Sequence, residues 1–365
     1  MKHKGRGLKK ILIFSFALMM LVSFVTNASA TNGYFAHGYS VKNKALAGAG
    51  TALPLDSLAA SNNPAGMVFV GNRIDVGVSF FNPNRQYKVS GAPTTGLMPG
   101  VSCNFPGAPA VPGGPACPFG LTPGEEESDS KWFVIPSFGF NWMMNNNYSL
   151  GISIYGNGGM NTNYDTNTFN VNSMLPSFED SPTGVDLSQL FVVPTYARKL
   201  NPKHSIGISP IIAYQSFETE GLQAFGEAGF SQDPSKLTNN GHDNSYGIGG
   251  RFGYLGEIFP GLFFGASYQT KIYMDKLDDY AGLFAEEGDF DIPSNWSAGV
   301  AYHLSGPALI IAFDVQQIFY SDVDSIGNDF TPFNTCFGAL LMGGSASSSE
   351  KCLGGEEACG DRQAA

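Results

Sequence analysis

Two basic residues stand where side-chain parity would aim them at the inside of a strand-built wall. In SYGIGGRFGYLGE, Arg251 shares a face with Gly247, Gly249 and Gly253, opposite Tyr246, Ile248, Phe252 and Tyr254. Lys271 shares a face with Ser267 and Gln269, opposite Leu262, Phe264, Ala266 and Tyr268. Successive strand side chains point to opposite faces, so both cations turn away from the apolar side. A guanidinium beside glycines can hold a carboxylate through charge-assisted hydrogen bonds. It can also pair with an inward acid, for which Asp314 and Asp75 are the candidates. Both readings stand.

Other chemistries find little support. No G-x-S-x-G elbow is present, and the run His242-Asp243-Asn244-Ser245 gives no triad geometry by adjacency alone. His37 has no Cys or second His near it in sequence, which favours a structural role over metal ligation. Asp322-Val323-Asp324-Ser325-Ile326-Gly327 imitates the start of a calcium loop, but Ile326 fills a ligand position and Phe333 stands where the loop needs Glu. No metal site, cofactor or enzymatic activity is expected. A lipid hydrolase is the enzyme-class alternative.

The elements that position Arg251 and Lys271 are strands. Residues 73–83 alternate Ile74, Val76, Val78 and Phe80 against Asp75, Gly77 and Ser79. Residues 131–142 repeat the pattern with Trp132, Val134, Phe138, Phe140 and Trp142, and a third run carries Leu150, Ile152 and Ile154 on one face. Six further runs occur at about 187–199, 204–217, 244–256, 261–274, 294–303 and 308–320. Nine alternating segments of about ten residues are the pattern of an all-β, transmembrane antiparallel β-barrel. Strands of a soluble sandwich are shorter, roughly 5–6 residues.

The connections point the same way. After the second, fourth, sixth and eighth runs they are tight: Asn145–Asn147, Asn201-Pro202-Lys203, Phe259-Pro260-Gly261 and Ser305-Gly306-Pro307. After the odd-numbered runs they are long, at about 84–130, 157–186, 218–243 and 275–293. Short turns on one side and long loops on the other mark outer-membrane barrels, and a periplasmic N-terminus puts the long loops outside the cell.

Composition agrees. Charged residues are 14% of the 365, Gly numbers 46 and aromatics reach 13%, against roughly 25% charged in soluble domains. Residues 1–30 read as a cleaved export signal: Lys2, Lys4, Arg6, Lys9 and Lys10, then Ile11 to Phe24, then Ala28-Ser29-Ala30. Five of the 20 basic residues fall there, which leaves 15 against 31 acidic, a net of −16. Such a balance argues against nucleic acid as partner. In an oxidising compartment Cys103 and Cys117 could pair across a Pro/Gly-rich loop, while Cys336, Cys352 and Cys359 are an odd set.

Between the signal and the first strand, residues 31–66 are rich in Ala, Gly, Ser and Asn and obey neither helical nor strand period. Such a stretch needs an enclosure, and it reads as a plug inside the barrel. Its Gly48 and Gly50 allow close packing against a wall, and Lys42 and Lys44 would need acidic or ligand partners. The expected organisation is signal 1–30, plug 31–71, barrel strands one to nine at 72–320, then a loop and tail at 321–365.

From Thr31 onward the chain resembles the FadL/TodX-type outer-membrane transporters of long-chain fatty acids and aromatic hydrocarbons. The resemblance rests on GAGTALPLDSLAASNNPAG (48–66) with Asn63-Pro64-Ala65 before the first strand, SIYGNGGMNT (153–162), GVDLSQLFVVPTYARKL (184–200) and YAGLFAEEGDFDIPSNWSAGVAY (280–302). It implies a fourteen-stranded, monomeric barrel in outer-membrane lipid, with an N-terminal hatch in its lumen and no enzymatic activity. It also implies a route: capture among outer loops, binding in the lumen against the hatch, and sideways release at a kinked third strand.

Particular residues would serve each step of this route. For an outer groove, Leu222, Phe225 and Phe230 lie in one long loop. Leu277, Tyr280, Leu283 and Phe284 are spaced in another to give a short helix one apolar face. Packing of the loops onto each other is the equal alternative. Gly156-Asn157-Gly158-Gly159 would form the kink and gate, since glycine within a strand marks bulges; simple loop onset competes with it. Tyr34 and Phe35, at the hatch end that the resemblance places near ligand, join Arg251 and Lys271 as lumen candidates. Long-chain fatty acids are the expected cargo, with aromatic hydrocarbons or a non-transporting adhesin or structural barrel as alternatives. From Phe337 the sequence shows no further strand pattern, and a truncation or frameshift after about Gly355 is expected, with loss of roughly five strands.

Overall fold

The computed structural model describes residues 32–91, 119–121, 123–171, 182–227, 231–304 and 309–328. The chain divides into two compact units, Met1–Gly33 and Tyr34–Ala365. Only residues 32–33 of the first are described, and all the described strands and helices belong to the second. The export signal, Cys103, Cys117, Phe230, the turn at 305–307, Cys336, Cys352, Cys359 and the tail from 337 lie outside the described residues.

Among the described residues nine antiparallel strands follow one another in chain order along one sheet, and a tenth, short strand joins it off that path. The nine are β1 Arg73–Phe81, β2 Phe133–Met143, β3 Tyr148–Tyr164, β4 Thr183–Asn201, β5 His204–Glu220, β6 Asp243–Phe259, β7 Leu262–Gln269, β8 Asn295–Leu304 and β9 Leu309–Ile318. Beyond the end of β7, the short strand Tyr273–Met274 also pairs with β6. Among the described residues β1 pairs only with β2 and β9 only with β8, so the sheet is a curled half-barrel wall.

Alternation accounts for its two faces. Ile74, Val76, Phe80, Trp142, Ile248 and Phe252 project outward and are exposed, while Ser149, Ser153, Ser205, Ser209, Gln215 and Gln269 project inward and are buried. Apolar outside and polar inside inverts the soluble pattern and suits a wall bathed in lipid.

One pair of strands is longer than the periodicity suggests. β3 runs on through Gly156–Gly159 to Tyr164, and β4 begins at Thr183 rather than near 187. Each extension supplies the other's ladder, ending in the pair Tyr164↔Thr183. Within it the register shifts between Gly156 and Gly158, which leaves Asn157 as the extra residue of a bulge.

The hatch lies on the inner face and has no ladder of its own. Ser40 caps the single-turn helix α1 (Val41–Ala45) by accepting from Asn43 N at 3.1 Å. Asn63 caps the 3-10 turn Pro64–Phe69, where Pro64 fits because its position needs no N–H. The same Asn63 side chain donates to Thr51 O and to Tyr254 O of β6, each at 2.8 Å. The Asn63-Pro64-Ala65 run is thus a joint that ends the hatch, folds its last turn and fixes it to the wall.

Backbone groups without a ladder still need partners, and inward polar side chains of the wall supply them. Asp314 Oδ2 accepts from Gly50 N and Thr51 N, both at 2.8 Å. Asp75 Oδ2 accepts from Ser57 N at 2.9 Å and Ser57 Oγ at 2.7 Å, while Arg73 holds the same carboxylate. Asn141 Nδ2 donates to Met67 O and Gly71 O, and Ser205 Oγ donates to Ala65 O. Lys42 corrects an expectation: it is exposed and, among the described residues, donates to Leu55 O at 3.5 Å. Lys44 donates to Ser79 Oγ of β1 at 2.9 Å. Among the described residues neither has an acidic partner; α1 lies beside β1, where the described wall ends.

Candidate functional site

Arg251 projects inward from β6 and is 4% exposed. Its Nη1 donates to Ala60 O and Tyr155 OH, each at 3.0 Å, and also to Ser61 O; its Nη2 donates to Gln269 Oε1 of β7. One guanidinium therefore ties a hatch turn, the bulged strand β3 and β7 together. The sequence left Asp314 and Asp75 open as its ionic partners, and the structure corrects this. Both carboxylates are taken by hatch N–H groups, and Asp75 also by Arg73. Among the described residues Arg251 has no acidic partner within ion-pair distance.

Above this latch is an apolar cluster of Phe35, Tyr39, Leu58, Tyr155, Phe191 and Ile211, with Tyr34 and Tyr320 against it. Tyr39 and Tyr155 have ring centroids 4.6 Å apart, and Tyr155 and Phe191 5.8 Å. Tyr34 and Phe35 reach the cluster because their backbone pairs with the bulge. Ala36 N donates to Asn157 O at 2.8 Å, Gly159 N donates to Tyr34 O at 2.9 Å, and Phe35 faces Gly158. The sequence candidates Tyr34, Phe35, Gly156, Asn157, Gly158 and Gly159 are thereby brought to one place.

Two features of this place escaped the sequence reading. Tyr320, in a short turn after β9, has its ring 5.3 Å from Tyr34 and 6.1 Å from Phe35. It closes the ninth alternating run on the parity of Asp314, and nothing in that run singled it out. A chain of amides also crosses the inner face: Asn157 Nδ2 to Gln189 Oε1 (2.9 Å), Gln189 Nε2 to Gln215 Oε1 (2.7 Å), and Gln215 Nε2 to Phe290 O (3.2 Å). Parity on β4 and β5 did carry that signal.

Lys271 stands apart from Arg251's cluster of partners. It lies just past β7, with Nζ 2.9 Å from Asp291 Oδ2, and Asp291 Oδ1 accepts from Met274 N at 2.7 Å. Its charge is balanced by the 275–293 loop. In that loop, burial first and the Asp291 carboxylate second push Asp289 up to about 6. The folded chain thus holds this proton more tightly than the unfolded chain. The associated stability is full below the ordinary aspartate value of 3.8 and is lost as pH rises through about 6. Hydrogen exchange at Leu277 N and Asp289 N, corrected for intrinsic rate, should be slower at pH 5 than at pH 7. Asp289→Asn should remove the difference.

The outer-loop candidates do not form an exposed groove. Tyr280 and Phe284 are buried with Leu187, Phe217, Leu277, Phe290 and Val323. Phe284 stacks on Phe290 at 4.5 Å, and Tyr280 OH donates to Gly241 O at 2.6 Å. The loops pack onto each other and onto β5, which removes these side chains from solvent. Leu222, Phe225 and Leu283 are half-buried, with Phe225 edge-on to Phe169 at 5.1 Å. The expected helix is instead a 3-10 turn, Asp278–Tyr280, followed by one turn at Ala285–Gly288 in which Glu286 and Glu287 take positive φ. His242 bridges Asp186 (3.3 Å) and Glu218 (2.8 Å) on neighbouring strands. Among the described residues no group of three or more His, Cys, Asp or Glu side chains could hold a metal ion.

An antiparallel wall with an apolar outside and a polar inside, filled by an N-terminal hatch, defines an outer-membrane β-barrel transporter of hydrophobic compounds. The chain belongs to the outer membrane protein transport protein family (OMPP1/FadL/TodX), whose model matches residues 22–341. Among solved structures it is similar to the P. putida toluene transporter TodX, at 17% identity and a TM-score of 0.56 over 79% of this chain and 72% of that one. It is similar to a Pseudomonas aeruginosa FadL homologue at 17% identity, with a TM-score of 0.51 over 81% and 72% of the two chains. The Ralstonia pickettii toluene transporter TbuX matches at 16% identity, with a TM-score of 0.51 over 78% and 73%. At these identities the likeness is one of fold. No curated protein matches the chain in sequence.

Proposed function

We propose that this chain carries long-chain fatty acids into the cell, with the acyl chain in the Phe35–Tyr155–Phe191 cluster and the carboxylate toward Arg251. The observation that carries this reading is a buried guanidinium held by neutral oxygens alone among the described residues. Buried charges are ordinarily paired. An arriving carboxylate would put an anion in place of a neutral acceptor and could meet the guanidinium's fork through two parallel bonds. Half-buried Leu222, Phe225 and Leu283 would serve capture at the outer loops, and Lys271, neutralised by Asp291, would not serve the head group. Release would then occur sideways at Gly156–Gly159, once Tyr34 and Phe35 give up their pairing with the bulge. The chain would act as a monomer, exported with a cleaved signal.

A second reading, uptake of aromatic hydrocarbons, draws on the toluene transporters TodX and TbuX and on the aromatic lining of the cluster. Uptake of labelled oleate and of labelled toluene, in a strain lacking the gene and in its complemented counterpart, separates the two. Faster oleate uptake on complementation is expected. Faster toluene uptake alone would transfer the function to the second reading, and unchanged uptake of both would end the transporter account.

A further inference from the structure

Arg251, Gln269 and Asn295 stand in one register row across β6, β7 and β8: Arg251↔Gln269, then Gln269↔Asn295. Gln269 is 0% exposed and Asn295 6%. Each amide oxygen is occupied, Gln269 Oε1 by the Arg251 guanidinium and Asn295 Oδ1 by Gln316 Nε2 at 3.4 Å. Each amide nitrogen, Gln269 Nε2 and Asn295 Nδ2, is buried without a hydrogen-bond partner. Gln269 cannot be turned round to relieve this, because a guanidinium has donors only and would then face an N–H₂ group.

Buried polar groups without partners are rare in folded proteins and call for an explanation. Two such donors side by side, next to a cation with no acidic partner among the described residues, make a spot rich in N–H and poor in acceptors. It also borders the apolar cluster. Ile318, which packs against that cluster, is the cross-strand partner of Asn295, and Tyr155 of the cluster shares Arg251 with Gln269.

We infer that Gln269 Nε2 and Asn295 Nδ2 are a ligand-binding donor pair, which receives an oxygen of the head group while the apolar body lies in the cluster. This rests on the lumen-binding reading above and adds to it: the site would select oxygen-bearing long-chain compounds, acids and alcohols, over hydrocarbons of equal length. Arg251 supplies charge, whereas the amide pair supplies two neutral donors that serve a hydroxyl as well as a carboxylate.

Binding of labelled palmitate, hexadecanol and hexadecane to the purified full chain in detergent tests this, with Asn295→Leu and Gln269→Glu. Asn295→Leu leaves Arg251's contacts alone, and Gln269→Glu keeps the acceptor that Arg251 uses while deleting the donor. Asn295→Leu should weaken palmitate and hexadecanol about tenfold, the loss of one hydrogen bond to a buried donor, and leave hexadecane unchanged. Gln269→Glu should weaken hexadecanol by a similar factor with hexadecane again unchanged. Unchanged affinity for both oxygenated ligands in both variants, as an ordered water on the pair would give, overturns the inference. Equal weakening of all three ligands also overturns it. Wild-type protein that binds none of the three would instead refute the lumen-binding reading, and the inference with it.

Discussion

Gly158→Ala is expected to unseat the N-terminal end of the hatch. A Cβ at this position would lie 1.9 Å from Tyr34 O and 2.8 Å from Tyr34 C. Those atoms are backbone, so no side-chain rotation relieves the overlap, and the pairing itself must open. Ala36 N–Asn157 O and Gly159 N–Tyr34 O would be lost together. Overpacking of this kind costs about 1–3 kcal/mol. In hydrogen exchange, Ala36 and Gly159 should lose protection while the strand pairs on either side of β3 and β4 keep theirs. If bound fatty acid is held by the same contact, it should also leave the variant faster than wild type. Unchanged protection at both amides would show that the hatch end is anchored elsewhere, with Tyr320 the first candidate.

Arg251→Ala should have the largest effect on the hatch as a whole. It strips the donor from two hatch carbonyls, from Tyr155 OH and from Gln269 Oε1, all in buried surroundings. Each orphaned acceptor costs on the order of 1–3 kcal/mol, and the effects of neighbours do not add fully. A total loss of about 3–5 kcal/mol is expected, seen as a lower denaturant midpoint in detergent and as protease cleavage near Ala60–Ser61. Arg251→Lys should recover only part of this, since an ammonium reaches fewer of the four acceptors and lacks the planar fork. Full stability in Arg251→Ala would mean that Asp314, Asp75, Asn141 and Asn63 hold the hatch without it.

The strands were the most legible part of the sequence, because period-two alternation is a local property. Nine runs were readable in number and order, and parity alone turned Arg251, Gln269 and Asp314 inward. What parity could not assign was which hatch atom each inward side chain would meet. Asp314 and Asp75 were equally reasonable partners for Arg251, yet the hatch N–H groups claim both, since an irregular segment brings many backbone groups that need acceptors. The glycines of Gly156–Gly159 marked a kink, but the run of β3 beyond it to Tyr164 was unreadable for a related reason. Its ladder partner is the start of β4, on the far side of a loop, and local alternation says nothing of so distant a partner. In the loops, Tyr280 and Phe284 had the spacing of an exposed apolar face, but Phe217 and Phe290, which bury them, come from other segments.

On the proposed route, the pairing between the hatch end and the bulge of β3 must open for ligand to leave. Ala36 N bonds Asn157 O next to the opposed pair Phe35 and Gly158, and opposed residues of antiparallel segments bring their Cβ atoms to about 4.5–5.5 Å. That spacing lies just above the usual disulfide range of about 3.5–4.5 Å, so the closed pairing needs only a small shift to be bridged. With the five native cysteines replaced by serine, Ala36→Cys and Asn157→Cys can lock the contact under oxidising conditions. Uptake of labelled oleate by cells carrying this variant is the decisive measurement. The account predicts that uptake stops on oxidation and returns on reduction; equal uptake in both states, with the disulfide verified, would contradict it.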